Sequence, residues 1–408
     1  MFELVDSVQD KPVIKVVGVG GGGGNAVKHM IASEINGVDF ICANTDAQAL
    51  KDVEAHTIIQ LGNTITRGLG AGANPDVGRQ SALEDRDRIA EVLDGADMVF
   101  ITAGMGGGTG TGGAPIVAEI AKDLGILTVA VVTRPFMIEG RKRAVVAEDG
   151  ILELRDKVDS LITIPNDRLL EVLGNKITMK SAYKEADNVL LGAVQGIADL
   201  MIRPGIMNVD FADVRTVMSE MGMAMMGSGA AVGENRAREA AEKAVRSPLL
   251  DNVNLQGARG ILVNIITGSE EGGCQELTLG EYSEVGAIVQ EIASDDATVV
   301  IGTAVDDKLG DEMRVTVVAA GLGDANSQVA RPTKVVDNTR RQEARETASR
   351  PAAPEVTRDA HRESHREAQE VRNRVDSERP KRAMPSVNPA DQDMEYLDIP
   401  AFLRRQAD

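Results

Sequence analysis

Large aromatic side chains are almost missing from this chain, which has no Trp, three Tyr and six Phe. A folded core must therefore be aliphatic, and the 43% apolar content of the 408 residues is enough for two globular domains with additional segments. Cysteine is equally scarce. Cys42 and Cys274 stand far apart, without the spacing of a disulfide framework or a thiolate metal site, which fits two inert thiols in a reducing cytosol.

Net positive charge and long apolar runs are lacking as well. The formal net charge of −19 repels nucleic acid. No apolar stretch approaches the roughly 20 residues that a membrane-spanning helix needs, and the first residues do not form a basic start followed by an apolar run. We therefore expect a cytoplasmic protein that binds no nucleic acid, does not insert into a membrane, and contacts one only through a partner.

Strand and helix patterns alternate in the first part of the chain. Runs rich in β-branched residues, typical of buried parallel strands, lie at 13–18, 39–44, 98–103, 126–132 and 161–164. Helical spacing lies between them, at 25–35, 78–93, 115–124 and 143–158. This alternation predicts a doubly wound α/β domain with a parallel sheet over residues 13–176, preceded by a flexible segment 1–12.

A long stretch without proline follows, and it predicts a connecting helix over 177–203 that ends at Arg203-Pro204-Gly205. A smaller α+β domain is expected over 204–321. Its helices are predicted near 210–221, 234–245 and 282–292, and its strands at 261–267, 297–303 and 314–320.

The last part of the chain changes in composition to Arg, Glu, Ala, Ser and Pro, which predicts a disordered linker over 322–390. Apolar residues return in 391–408 and can share one helical face there. A short apolar motif on a flexible tether is typical of a docking peptide, although a terminus without a partner can have the same pattern. The expected partner-binding residues are Asp398, Ile399, Pro400, Phe402, Leu403 and Arg404.

Glycine is concentrated directly after the first predicted strand, at 18–24. Backbone amides at the start of a helix, together with the helix dipole, hold a phosphate group. Gly18, Gly20 and Gly23 also satisfy the GxGxxG pattern of dinucleotide-binding enzymes, and Asp46 lies where such an enzyme places its ribose-binding acid. A dinucleotide-dependent oxidoreductase is therefore one alternative, although a glycine run fits many patterns.

A second glycine-rich segment, 104–113, follows another predicted strand and contains Thr109 and Thr111. Two such loops in one sheet can grip two parts of one polyphosphate, with the threonine hydroxyls as further donors. No GxxxxGK[ST] motif is present, so the chain is not a P-loop NTPase. The oxidoreductase alternative leaves this second loop unexplained.

The segment GGGTGTG at 106–112 resembles the signature loop of the tubulin/FtsZ family. Other segments resemble that family in the family's order: NTDAQAL (44–50), GAGANP (70–75), IPNDRLL (164–170), NVDFADV (208–214) and DIPAFLRR (398–405). The resemblance implies a GTPase, with GTP/GDP and Mg²⁺ as cofactors, that polymerises head to tail into filaments of the bacterial division ring. It also implies membrane-tethering division proteins and division-site regulators as partners, and assembly at midcell under the inner membrane.

The resemblance further assigns nucleotide-binding positions. Phosphate contacts are implied for Gly21, Gly22, Gly23, Gly24, Asn25, Gly107, Gly108, Thr109 and Gly110, with Ala71, Gly72, Ala73 and Asn74 near the γ-phosphate. Glu139 and Arg143 are implied beside the ribose and phosphates, and Asn166 and Asp187 beside the sugar and base.

Two residues on the base side carry a chemical argument of their own. A carboxylate at Asp187 can accept hydrogen bonds from N1–H and the exocyclic amine of guanine but would face acceptors on adenine, so it favours GTP over ATP. An exposed helix acid is the alternative for this residue. Tyr183 lies four residues earlier on the same helix face and can stack on the base. The family often has Phe at this position, and a second aromatic where Met137-Ile138 stands, which leaves the packing of that loop open.

No base for the attacking water is evident around the glycine loops. Asp210 and Asp213 follow Asn208 and lie on one side of a turn, where helix N-capping by Asn208 or Asp210 is the alternative role. The resemblance implies that this loop enters the nucleotide site of the next subunit. Asp210 and Asp213 would then position and polarise the water, while Asn208 orients the loop. A GTP-binding protein without hydrolysis is the remaining alternative, and the presence of both acids argues against it.

Overall fold

The computed structural model describes residues 11–174, 177–203, 205–219, 222–250, 258–269, 275–294 and 296–322. The predicted docking peptide 391–408 and the predicted linker, apart from residue 322, lie outside the described residues. So do Pro204, Cys274 and most of the predicted N-terminal segment 1–12.

The first half of the described chain alternates strands and helices. They are β1 (Ile14–Val19), α1 (Gly20–Ala32), β2 (Val38–Asn44), α2 (Ala47–Lys51), β3 (Thr57–Gln60), α3 (Asn63–Thr66), α4 (Pro75–Glu84), α5 (Arg86–Leu93), β4 (Met98–Gly104), α6 (Thr109–Asp123), β5 (Leu127–Arg134), a 3-10 turn (Met137–Glu139), α7 (Arg141–Arg155), β6 (Ser160–Pro165) and α8 (Asn166–Leu173).

The long helix α9 (Met179–Ile202) then leads to the second half. Its elements are α10 (Phe211–Met218), β7 (Gly222–Ala231), α11 (Arg236–Val245), β8 (Gly260–Thr267), α12 (Leu279–Ile292), β9 (Thr298–Val305), a 3-10 turn (Asp307–Leu309) and β10 (Met313–Leu322). Within the described residues, no helix combines the length and apolar character that a bilayer crossing requires.

All ten strands form one sheet in the order β3-β2-β1-β4-β5-β6-β7-β10-β8-β9. The strands from β1 to β6 are parallel, so their carboxyl ends share one edge. Strand β7 continues this arrangement by pairing parallel to β6, whereas β10 runs antiparallel to both β7 and β8. The parallel and mixed parts of the fold are therefore joined through the β6–β7 pair.

Helices cover both faces of the parallel part, as a doubly wound sheet requires. On one face, Val16 and Phe40 pack against α1 and α9. Their neighbours along the strands, Val17 and Ile41, point to the opposite face and pack against α4, α5, α6 and α7. A third apolar core, mainly Ala, Val and Ile, lies between β8, β10 and the helices α11 and α12. The predicted α/β fold with an aliphatic core is confirmed.

The element predictions differ from the structure in several places, and the short helices α2, α3 and α8 were not predicted. Strands β3 and β7 were not predicted, because β3 has four residues and β7, GMAMMGSGAA, contains almost none of the β-branched residues that mark a strand. The single helix predicted at 78–93 is two helices, interrupted at Asp85, whose carboxylate accepts a hydrogen bond from the Gly62 amide at 2.8 Å. Helix α1 begins at Gly20 and not at Asn25, so most of the first glycine run is helical.

Candidate functional site

A cleft of about 640 Å³ lies at the edge where the parallel strands end. The first turns of α1 and α6 line it with Gly21, Gly22, Thr109 and Gly110. Neither helix has a side-chain cap or an acidic residue in its first turn. Their first amides and the positive ends of their dipoles are therefore available to an anion in the cleft, and a polyphosphate fits this arrangement.

Backbone contacts between the glycine-rich segments shape the cleft. Gly20 has a positive φ of 74°, and a Cβ on it would lie 2.8 Å from the Gly110 nitrogen. A Cβ on Gly108 would lie 2.5 Å from the carbonyl oxygen of Gly72. Both distances are too short for any side chain, so the three segments can meet only through glycine.

Most of the sequence-predicted nucleotide-binding residues line this one cleft. They are Gly21, Gly22, Asn25, Ala71, Gly72, Gly107, Gly108, Thr109, Gly110, Glu139, Arg143, Asn166, Tyr183 and Asp187. The lining does not include Gly23, Gly24, Ala73 or Asn74. Of these, the Asn74 side chain caps α4 by accepting from the Asp76 amide at 3.1 Å.

Sequence reasoning missed several lining residues, among them Thr45. The Thr45 hydroxyl lies 2.6 Å from that of Thr109, and its carbonyl oxygen accepts from the Gly70 amide at 3.2 Å. Thr45 thus ties the second glycine segment to the loop that carries Ala71 and Gly72. The segment NTDAQAL had marked this region by its resemblance, but no chemical signal singled out its threonine.

Two lining residues that the sequence assigns to the base end of the cleft are a carboxylate, Asp187, and an amide, Asn166. Asp187 is half-buried, and burial raises its pKa to about 6 against the opposing charge of His29. Asn166, the first residue of α8, is buried, and its Oδ1 has no hydrogen-bond partner within the described part of the chain. A cleft that holds an unpartnered buried oxygen and a carboxylate fits a ligand that brings N–H or O–H donors, as guanine and ribose do.

An aromatic pair supports this end. The rings of Phe136 and Tyr183 meet edge to face, with centroids 5.3 Å apart at 84°. Burial, and then the nearby Glu139 carboxylate, raise the pKa of Tyr183. Glu139 also accepts from the Phe136 amide at 2.9 Å and pairs with Arg143 at 2.5 Å. The aromatic support that the sequence left open at Met137-Ile138 is therefore supplied by the buried Phe136.

The predicted catalytic residues lie elsewhere, near the opposite edge of the sheet. Helix α9 carries Asp187 in its first half, and the 15 residues from Asp187 to Ile202 span about 22 Å at ~1.5 Å per residue. Its other end contacts the amino-terminal ends of β1 and β2: the Lys11 ammonium donates to the Ile202 carbonyl at 3.2 Å, and a Cβ on Gly37 would touch the Ile202 side chain. The loop with Asn208 follows, remote from the cleft of its own subunit.

Neither candidate makes a helix-capping contact there. Asn208 accepts from the Gly205 amide at 3.0 Å, which is a contact within the loop. Asp210 occupies the N-cap position of α10, but its side chain accepts no hydrogen bond from the helix. Asp210 and Asp213 are both exposed. These contacts do not support the capping alternative, and they leave both carboxylates available to an external group.

Comparisons with known proteins agree with this architecture. Residues 13–174 match the Tubulin/FtsZ family, GTPase domain, and residues 222–323 match the FtsZ family, C-terminal domain. The chain is 61% identical over 410 residues to the cell division protein FtsZ of Pseudomonas putida, with 100% of each chain covered. It is 60% identical over 408 residues to the cell division protein FtsZ of Pseudomonas aeruginosa, again with 100% of each covered.

The structural comparison leads to the same group. An FtsZ dimer structure from M. jannaschii superimposes with a TM-score of 0.72 at 44% identity, over 76% of this chain and 88% of that chain. Likeness of this extent decides against the dinucleotide oxidoreductase, and it explains why the chain has two glycine segments where that enzyme needs one. The chain belongs to the tubulin/FtsZ family of GTPases.

Proposed function

We propose that this GTPase assembles head to tail and hydrolyses GTP at the contact between subunits, using Asn208, Asp210 and Asp213 of one subunit on the nucleotide of the next. One observation carries the proposal: the cleft and the loop with the exposed acids lie near opposite edges of the same sheet. A head-to-tail contact is the arrangement that brings two such unlike surfaces together.

The acids of the cleft itself are already engaged. Asp46 caps α2 by accepting from the Gln48 amide at 2.8 Å. Glu139 is paired with Arg143, and Asp187 lies at the end assigned to the base. Among the described residues that line the cleft, there are therefore groups that bind a nucleotide but no exposed carboxylate free to orient a water at the phosphates. An acid from a neighbouring subunit would supply that group.

Exposed apolar side chains occur at both surfaces. Leu69, which lines the cleft, is 86% exposed, and Met137 and Ile138, which directly precede the lining residue Glu139, are 70% exposed. Ile206 is 68% exposed in the loop that precedes Asp210, next to the exposed Met207. Patches of this kind mark contact surfaces. Self-association is further supported by the dimer structure of the 44% identical relative.

Each residue of the loop has a part in the proposed chemistry. Asp210 and Asp213 accept hydrogen bonds from the attacking water and align it with the terminal phosphate, while Asn208 holds the loop through the Gly205 amide. Mg²⁺ brought in with the nucleotide would neutralise the charge of the transferring phosphate. Within the described residues no cluster of three His, Cys, Asp or Glu side chains could hold the ion, so the nucleotide would supply its main ligands.

The cellular role follows from the relatives. The two Pseudomonas proteins are named cell division proteins. We propose the same role for this chain, with filaments at midcell under the inner membrane of a bacterial cell. Membrane-tethering division proteins would bind the terminal peptide at Asp398, Ile399, Pro400, Phe402, Leu403 and Arg404, and division-site regulators would act on the filament.

The test is GTP turnover per subunit as a function of protein concentration, with electron microscopy of the same samples. A shared site requires subunits that bind GTP but barely hydrolyse it when dilute, and whose specific activity rises above a critical concentration together with filaments. Specific activity that is constant at all concentrations would overturn the shared site.

A further inference from the structure

Arg203, the residue directly after α9, contacts two acids on different parts of the fold. Its Nε donates to Asp199 Oδ1, one turn earlier in α9, at 2.8 Å. Its Nη1 lies 3.3 Å from Asp306 Oδ2 and 3.2 Å from the Val305 carbonyl oxygen, at the end of β9. The guanidinium therefore joins the end of the long helix to the strand β9.

Burial makes this contact hard to replace. Asp199 is 3% exposed, and its second oxygen, Oδ2, has no partner within the described residues. A buried carboxylate is costly unless a cation pairs with it. Burial raises the pKa of Asp199, and the Arg203 guanidinium opposes that rise. Asp199 thus fixes the guanidinium in one place.

The loop beyond Arg203 is also held on its other side by β9. The Met207 amide donates to Thr303 Oγ1 at 2.9 Å, and the Thr303 amide donates back to the Met207 carbonyl at 3.1 Å. A Cβ on Gly205 would overlap the Thr303 carbonyl oxygen, which shows how closely the two segments pack. Gly205 and Met207 are therefore held by the same strand that Arg203 contacts.

We propose that Arg203 is a positioning residue for hydrolysis: it anchors the loop to β9 so that Asp210 and Asp213 project at a fixed angle into the nucleotide site of the next subunit. The inference rests on the shared site proposed above. Arg203 touches neither the cleft of its own subunit nor, in this scheme, the nucleotide of its neighbour. Its loss would therefore change turnover and leave GTP binding as it is.

The first test uses Asp199→Asn/Arg203→Gln, which removes the buried Asp199 carboxylate together with its cation and leaves Asp306, whose other oxygen accepts from the Lys308 amide at 3.1 Å. Its turnover in filaments should fall about tenfold or more, the scale expected when catalytic groups are misplaced, while GTP affinity and pelleted filament mass stay at the wild-type level. Arg203→Lys, which keeps the charge but lacks the guanidinium fork, should retain part of the activity. Arg246→Gln, which breaks an exposed pair with Glu242, is the matched control and should turn over normally. Wild-type turnover in Asp199→Asn/Arg203→Gln, at normal filament mass, would overturn the proposal.

The second test asks whether Arg203 acts through the acids. Adding Asp213→Ala to Asp199→Asn/Arg203→Gln should lower turnover no further than Asp213→Ala alone, because effects that pass through one group do not add. A further loss of tenfold or more would place the effect of Arg203 elsewhere and overturn the inference. The proposed function fails separately: normal turnover in Asp213→Ala refutes the shared site itself, whatever the Arg203 variants do.

Discussion

The nucleotide cleft and the loop with Asp210 and Asp213 are built by different means. Backbone forms most of the cleft: helix amides and glycine segments that touch one another at Gly20 and Gly108. The acid loop exposes both carboxylates and uses side chains as well as backbone to hold its position: Arg203 precedes it, and Thr303 Oγ1 accepts from the Met207 amide. A backbone cradle can bind its ligand in a single subunit, whereas exposed carboxylates gain a chemical role only when another surface covers them. The two regions should therefore respond to mutation in different ways.

The largest effect is expected from removing Asp213, which should abolish most hydrolysis without changing GTP binding. Asp213→Ala should reduce turnover by about 10²- to 10⁴-fold, because the water loses the group that aligns it, while GTP affinity stays unchanged. Phosphate release and nucleotide titration measure the two quantities, with Glu239→Ala as an exposed-acid control. When the variant is mixed with wild type, it should inhibit more than dilution predicts, since each mutant subunit disables its neighbour. Loss merely in proportion to the wild-type fraction would contradict the shared site.

Adding one methyl group to the glycine segments of the cleft should instead weaken GTP binding directly. Gly108→Ala brings a Cβ to 2.5 Å from the Gly72 oxygen, so the segments must separate, and GTP binding should weaken by about 3 kcal/mol. Gly192→Ala, on α9, adds a methyl group that meets nothing within 4 Å and serves as the control. Titration with a fluorescent GTP analogue measures both. Equal GTP affinities for the two variants would show that the glycine segments can move apart without a loss of binding.

Base recognition is a smaller effect within the cleft. Asp187→Ala should weaken GTP binding by about 1.5–3 kcal/mol, the usual cost of a hydrogen bond to a charged group, and should reduce the preference over ATP. The exposed Lys184 on the same helix provides the control Lys184→Ala. Competition titrations with GTP and ATP measure the preference. An unchanged preference would remove Asp187 from the base site.

The pH dependence of GTP binding tests Asp187 while its side chain stays in place. The pKa of Asp187 is raised to about 6, so the carboxylate is ionised above that pH and protonated below it. Because guanine needs the ionised form as acceptor, GTP affinity should be constant above pH 6 and fall about tenfold per pH unit below it. Asp187→Asn should bind weakly with a flat profile. A similar slope in both proteins would assign the pH effect to another group.

The smallest effect is expected outside both regions. Deleting residues 391–408 should leave GTP turnover and filaments unchanged, because neither the cleft nor the acid loop includes them. Binding to a membrane-tethering partner should be lost, since the tether supplies reach and local concentration to the docking peptide. Sedimentation and a pull-down with a purified tether measure the two outcomes. Loss of filaments would show that this segment contributes to assembly.

The sequence allowed prediction of those elements whose own residues favour one structure. The strands with β-branched runs, the two glycine segments and the long helix α9 were predicted because propensity, turn chemistry and spacing agree there. Strand β7 could not be predicted in this way, because its Gly, Ala and Met residues form a strand only through pairing with β6 and β10. Its stability comes from neighbours distant in sequence.

The same limit applies to the candidate site. Thr45, Phe136 and Arg203 have no motif of their own, since each acts through contact with a residue far along the chain: Thr109, Tyr183 and Asp306. Such partners become visible only in the folded chain. The roles of Asn208, Asp210 and Asp213 stay predictions, because the surface that they would meet belongs to another subunit.

The placement of the cleft and the acid loop near opposite edges of one sheet has a consequence for a growing filament. A filament of such subunits is polar, and its two tips differ chemically: one presents an open cleft and the other an unused acid loop. The subunit at the open-cleft tip has no neighbour to supply Asp210 and Asp213. In the proposed scheme its GTP persists until the next subunit arrives, so this tip keeps unhydrolysed nucleotide. Interior subunits hydrolyse their GTP with time, so the fraction of GDP should increase with distance from this tip.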